Sequence, residues 1–62
     1  MLSILIPTYN YVCVKLVTDL QQQAERLECP YEILVADDAS EDAFKRENRK
    51  INGIPGCKYI EL

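Results

Sequence analysis

Two short apolar runs, each closed by a polar cluster and separated by a stretch of helical period, constrain this chain more than any other feature. Leu2-Ser3-Ile4-Leu5-Ile6 is almost continuously apolar and is stopped by Pro7. Tyr31-Glu32-Ile33-Leu34-Val35-Ala36 repeats the pattern and runs into Asp37-Asp38. Continuous rather than alternating apolarity is the signature of a strand covered on both faces, as in a parallel sheet. Pro7 has no N–H to donate and predicts the end of pairing. Thr8-Tyr9-Asn10 then reads as a loop, with Asn10 placed to cap the helix that follows.

Between the runs the period changes. From Tyr11 to about Glu28, the residues Cys13, Leu16, Val17, Leu20, Ala24 and Leu27 fall on one helical stripe. Lys15, Asp19, Gln22, Gln23 and Arg26 fall mostly opposite, and Lys15 with Asp19 makes an i, i+4 pair. Pro30 closes the element. After the second run Ser40 has the chemistry of an N-cap, and Glu41 and Asp42 suit the first turn of a second helix. Glu41 with Lys45 and Asp42 with Arg46 are further i, i+4 pairs. Phe44, Asn48 and Ile51 share a face, and Gly53, Pro55 and Gly56 end the helix. Cys57 to Leu62 reads as a third strand.

The order is therefore β-α-β-α-β. Helix-length crossovers imply parallel strands, so the expected class is α/β, a three-stranded parallel sheet in the order 3-2-1. With 62 residues the chain can bury only ~60% of its unfolded surface in one modest core. Doubly wound domains usually take ~100–200 residues, so the chain reads as the first half of one.

Composition removes several function classes. Ten acidic against seven basic residues give a net charge of -3, which argues against nucleic acid as a partner. The absence of histidine excludes His-based general bases, Ser-His-Asp triads and His-ligated metals. No apolar run approaches the ~20 residues of a membrane span, and no signal peptide is evident. Three widely spaced cysteines make neither a disulfide framework nor a zinc ribbon, and predict reduced thiols in a cytoplasmic setting. Cys13 reads as a small core hydrophobe, and Cys29 and Cys57 as loop-end thiols without chemistry. Tyr11 and Tyr59 read as packing residues with a polar tip. Lys45, Arg46, Arg49 and Lys50 read as a solvated face complementing a helix C-terminus.

Ligands of open parallel sheets bind beyond the carboxyl ends of the strands. Pro7-Thr8-Tyr9-Asn10 and Asp37-Asp38-Ala39-Ser40 both fall there. A carboxylate can accept the imide N–H of a base such as uracil, and Tyr9 offers a face for stacking. Main-chain groups around Pro7 and Thr8 could read the base edge. No glycine precedes Gly53, so there is neither a dinucleotide fingerprint nor a P-loop. Asp37-Asp38 equally reads as polar punctuation at a strand end, with Asp38 or Ser40 capping the next helix.

Taken together, Ser3-Ile4-Leu5-Ile6-Pro7-Thr8-Tyr9-Asn10 and Glu32-Ile33-Leu34-Val35-Ala36-Asp37-Asp38-Ala39-Ser40-Glu41-Asp42 resemble the start of inverting family 2 glycosyltransferases of the GT-A fold. The resemblance implies that residues 1–62 are the N-terminal, nucleotide-binding part of a Rossmann-like nucleotide-diphospho-sugar transferase domain, truncated after its third strand. It implies that Pro7, Thr8 and Tyr9 line the nucleobase pocket, that Asp38 contacts the base and that Asp37 supports the loop. The family often has Gly where Ala39 stands, a change expected to be tolerated. The implied partners are a nucleotide-sugar donor, first of all a UDP-sugar, and an acceptor glycan or lipid-linked sugar. The implied cofactor of the full-length family member, which could be membrane-associated, is Mg²⁺ or Mn²⁺. The D-x-D motif that holds that metal and the acidic catalytic base both come later in the family pattern. The expectation for residues 1–62 is therefore donor recognition without turnover and without a cofactor of their own.

Two other readings are open on the residues. One is an acidic receiver-like α/β module holding Mg²⁺ on Asp37-Asp38. The other is a structural βαβαβ unit that self-associates. In order 3-2-1 the strand Leu2–Ile6 is an edge, and an unblunted edge recruits another strand, so a homo-oligomer through Leu2–Ile6 is expected.

Overall fold

The computed structural model describes residues 1–62. Strand β1 (Leu2–Thr8), helix α1 (Val14–Arg26), strand β2 (Tyr31–Asp37), helix α2 (Asp42–Asn48) and strand β3 (Cys57–Glu61) follow in that order. A 3-10 turn, Arg49–Gly53, extends α2. The three strands form one parallel sheet with β2 in the centre, the expected order. Ile4 lies beside Ile33 and Ile33 beside Cys57, so inward-facing residues line up across all three strands.

Strand β1 runs through Pro7 instead of stopping at it. Pro7 pairs with Ala36 and Thr8 with Asp37. Leu2 N–H donates to the Pro30 carbonyl at 2.9 Å, and the Thr8 carbonyl accepts from Asp38 N–H at 2.9 Å. The even-numbered residues thus turn their main-chain groups towards β2. Pro7, being odd, faces the outer edge, where a missing N–H breaks no ladder bond.

The core lies on one face of the sheet only. Cys13, Val17, Ile33, Val35, Ile51 and Tyr59 are its buried centre, with Ile4, Ile6, Val14, Leu20, Ile54 and Cys57 packed around it. These are the inward residues of each strand, so both helical segments cover the same face. Cover on both faces, expected from the apolar runs, is not what the structure has. Leu5 is 68% exposed and Ile60 38% exposed on the other face, with Leu34 and Ala36 half-buried between them. Because the sheet grows in one direction, from β1 to β2 to β3, successive crossovers return over the same side.

The helices are shorter than their periodicity predicts. Helix α1 starts at Val14, with Cys13 as a cap position that makes no side-chain cap. Its buried stripe is narrow: Val17 and Ala24 are buried and Leu20 is half-buried, while Leu16 and Leu27 stand 44% and 61% exposed. A three-stranded sheet is too narrow to cover the flanks of the apolar stripe. The Lys15–Asp19 pair forms at 3.1 Å. The basic run instead finds acceptors elsewhere. Arg49 makes a two-pronged contact with Glu61 at 2.7 and 3.1 Å, and Lys50 reaches Glu47, so Glu41–Lys45 and Asp42–Arg46 are not the pairs seen.

A second set of contacts closes the far end. The Tyr31 hydroxyl donates to Glu25 at 2.7 Å, accepts from Gln21 at 3.1 Å and lies 3.2 Å from the Pro55 carbonyl. Its ring lies against Gly56, whose φ is +74° and where a Cβ would meet Tyr31 at 2.5 Å. Only glycine meets both conditions, the left-handed backbone and the contact. Cys13 is buried, as its place on the stripe predicts, Cys29 is exposed and Cys57 half-buried, and all three are free thiols. Tyr59 packs with its polar tip inward, but Tyr11 is 61% exposed and contributes only its carbonyl.

Candidate functional site

The two polar clusters meet at the carboxyl ends of β1 and β2, because the strands are parallel and in register up to Thr8 and Asp37. What joins the loops is a set of hydrogen bonds across about thirty residues of sequence. Asn10 N–H donates to Ser40 Oγ at 2.7 Å, and Glu41 N–H donates to Asn10 Oδ1 at 2.8 Å. Asn10 is therefore a clasp between loops and not the cap of α1. Ser40 likewise is not the cap of α2, whose cap position is Glu41. Its hydroxyl serves Asn10, and its N–H donates to Asp37 Oδ1 at 2.8 Å.

Asp37 and Asp38 have opposite fates. Asp37 is the last residue of β2 and points inward, fully buried. Its Oδ1 accepts from Ser40 N–H and its Oδ2 from the Tyr59 hydroxyl. Burial pushes its carboxyl up, but the hydrogen bonds from Ser40 and Tyr59 outweigh that and hold it below the ordinary aspartate value. Burial and the Asp37 charge raise the Tyr59 phenol in turn. Asp38, one residue on, faces the other way and is exposed, with its N–H bound to Thr8 and its carboxylate free.

Tyr9 is 63% exposed on the neighbouring loop, and Pro7 is exposed at the outer edge. Thr8 is buried, and its hydroxyl accepts from the Cys13 thiol at 3.3 Å. Of the five residues singled out in the sequence, Tyr9 and Asp38 present free side chains beside one another's loops. Thr8 and Asp37 spend theirs inside. Together they make an open shelf and not an enclosed cavity.

Sequence reasoning left the supporting residue Asn48 without a role. Fully buried near the end of α2, it accepts from Cys13 N–H at 2.7 Å and donates to the Tyr11 carbonyl at 2.7 Å. This ties the segment between Asn10 and α1 to the second helix. A signal was present: an amide on the apolar face, between Phe44 and Ile51, must find partners if it is buried.

Ala39 has φ +60°, in the left-handed region. A side chain there costs energy that glycine avoids. Ala39→Gly is expected to stabilise the chain by roughly 0.5–1 kcal/mol, offset in part by the freedom glycine adds to the unfolded chain. A urea melt that moves to lower denaturant would show that the backbone here is unstrained.

The residues do not suit a divalent cation. Both Asp37 oxygens are occupied by Ser40 and Tyr59, and no group of three Asp, Glu, Cys or His side chains converges to hold a metal ion. A receiver-like Mg²⁺ pocket on Asp37-Asp38 is thus at odds with the geometry. No helix is long and apolar enough to cross a membrane.

No curated protein and no solved structure matches the chain. The model of the family described as glycosyl transferase family 2 matches residues 3–62, nearly the whole chain, spanning both loops of the shelf and all three strands. The three-stranded parallel α/β architecture agrees with the Rossmann-like N-terminal portion of such a domain. On that match, with the fold in accord, the chain belongs to family 2 of the glycosyltransferases.

Proposed function

We propose that the shelf of Pro7, Thr8, Tyr9, Asp37 and Asp38 receives the nucleoside of a nucleotide-sugar donor, a UDP-sugar first of all, whose sugar passes to an acceptor hydroxyl on a glycan or lipid-linked sugar. The observation that carries this reading is the pairing of one free aromatic face, Tyr9, with one free carboxylate, Asp38, on two loops that the Asn10–Ser40–Glu41 bonds hold together. Asp38 would accept the imide N–H of the base, and Tyr9 would stack on its ring. Thr8 and Asp37, with their side chains engaged inside, would shape the shelf without touching the base.

Titration of the chain with UDP, followed by NMR of backbone amides, tests this. Shifts should centre on Tyr9 and Asp38, and Asp38→Ala should weaken binding by roughly tenfold, the scale of one charge-assisted hydrogen bond. Shifts confined to the other end of the sheet would defeat the reading. Turnover is a separate matter. Donor transfer needs stabilisation of the departing diphosphate and an activated acceptor hydroxyl, and in the family pattern the residues for both lie beyond the two loops of the shelf. Incubated by themselves with UDP- and GDP-sugars and Mn²⁺, these 62 residues should leave the donors intact.

Self-association through β1 belongs to the same proposal. Its outer edge leaves the N–H groups of Ser3 and Leu5 without strand partners, and Leu5 is largely exposed. Pro7 blunts only the far end of that edge. Antiparallel pairing with a second copy would join two sheets into one of about six strands. Sedimentation equilibrium should show a dimer or larger assembly that Leu5→Lys shifts towards monomer; a stable folded monomer at micromolar concentration refutes it.

A further inference from the structure

We infer that Asn10 is the positioning residue of the shelf. Its side chain sets the distance between the loop that bears Tyr9 and the loop that bears Asp38, and so governs nucleotide affinity without touching nucleotide. The inference rests on the reading of the shelf as a nucleoside site and adds to it the residue that makes two separate loops into one binding surface.

The argument starts from what holds the loops. One main-chain bond, Asp38 N–H to the Thr8 carbonyl, joins them at the base, where the strands end. Beyond that point the sheet no longer dictates their spacing. The bonds that cross the gap further out both belong to Asn10: its N–H to Ser40 Oγ, and its Oδ1 from Glu41 N–H. Tyr9 is the residue immediately before Asn10, and Asp38 lies two residues before Ser40. A shift of the clasp therefore moves both free side chains.

The anchor of the clasp is rigid. Ser40, which accepts from Asn10, is buried and donates its own N–H to Asp37, whose carboxylate is held in turn by Tyr59 in the core. A chain of hydrogen bonds thus runs from the packed interior through Asp37 and Ser40 to Asn10. The backbone of Asn10 has φ +48°, a left-handed conformation that Asn and Asp tolerate better than other residues with a side chain. That conformation lets the N–H and the side-chain oxygen of one residue both face the opposite loop. A ligand gripped by two loops binds more tightly when their separation is set beforehand, because the ordering cost has already been met in the free protein.

Two variants separate positioning from folding. Asn10→Gly keeps the left-handed backbone and the N–H bond to Ser40 but removes the acceptor for Glu41 N–H. Asn10→Asp keeps both. The measurements are hydrogen exchange at the Glu41 and Asp38 amides without nucleotide, the urea midpoint, and UDP affinity. Asn10→Gly should speed exchange at Glu41 and weaken UDP by roughly tenfold, the scale of an ordering cost shifted from the free protein to the binding step, with the urea midpoint little changed. Asn10→Asp should restore both exchange and affinity.

Unchanged UDP affinity in Asn10→Gly, with the Asp38→Ala loss intact, overturns the positioning role and leaves the nucleoside site standing. A loss of affinity matched by a collapse of the urea midpoint, or one that Asn10→Asp fails to restore, also overturns it. If the unaltered chain gives no UDP shifts at Tyr9 and Asp38, the site itself fails and the inference falls with it.

Discussion

Asp37→Ala is expected to destabilise the chain by about 3 kcal/mol, the cost of leaving buried hydrogen-bonding groups unmatched. The Ser40 N–H and the Tyr59 hydroxyl both lose their acceptor, and both lie where water cannot replace it. A core of this size supplies only a few kcal/mol in all, so the variant should be largely unfolded by far-UV circular dichroism before denaturant is added. Asp38→Ala, one residue away but exposed, should stay within ~0.5 kcal/mol of the unaltered chain. Equal effects at the two positions would mean that the inward and outward assignments are wrong.

The same pair predicts how stability depends on pH. The Asp37 carboxyl titrates below its ordinary 3.8 in the folded chain, so the unfolded chain binds its proton first on acidification. Its stabilisation is fully present above 3.8 and is lost as pH falls from there through the lowered folded value. Tyr59 gives the mirror image, because its phenol is raised above 10.0. That contribution is complete below pH 10.0 and is lost as pH rises towards the folded value. Asp37→Asn should flatten the acid limb of a stability-against-pH curve, and Tyr59→Phe the alkaline limb. Glu47 and Glu61 are also lowered, by Lys50 and Arg49, but those pairs sit at the surface and add little.

Asn48→Ala should cost a similar amount, about 2–4 kcal/mol, by a different route. It strips an acceptor from Cys13 N–H and a donor from the Tyr11 carbonyl, both at the entrance to α1. Cys13 is itself buried, so its N–H has no water to turn to. Because α1 has no side-chain cap of its own, Asn48 does from another helix what a cap would do locally. Asn48→Asp tests the directionality: its oxygen can still accept from Cys13, but a carboxylate facing the Tyr11 carbonyl cannot donate. It should therefore recover only part of the loss in a urea melt. Full recovery would mean that the Tyr11 contact is of no consequence.

The residues alone settled much of this protein. Two apolar runs around a helical period dictate a parallel βαβαβ unit, since hydrophobic burial depends on period and the crossover length forbids a hairpin. The polar clusters Pro7–Asn10 and Asp37–Ser40 were legible as the carboxyl ends of two strands and the turns after them, and their motif pair carried the family. The place of Cys13 on the buried stripe was equally legible, being a matter of spacing. Tertiary structure decided the rest, and in each case because a contact reached across the sequence. Pro7 stays in its strand because β2 pairs on its other side. Leu16 and Leu27 stay exposed because three strands are too narrow to cover them. Asn10 and Ser40 look like caps from local chemistry, yet each finds its partner on the opposite loop, about thirty residues away. Asp37 and Asp38 are the same residue type side by side. The strand's alternation turns one into the core, where Tyr59 and Ser40 meet it, and the other out to solvent. A sequence records which groups need partners; only the packed chain determines which partners are within reach.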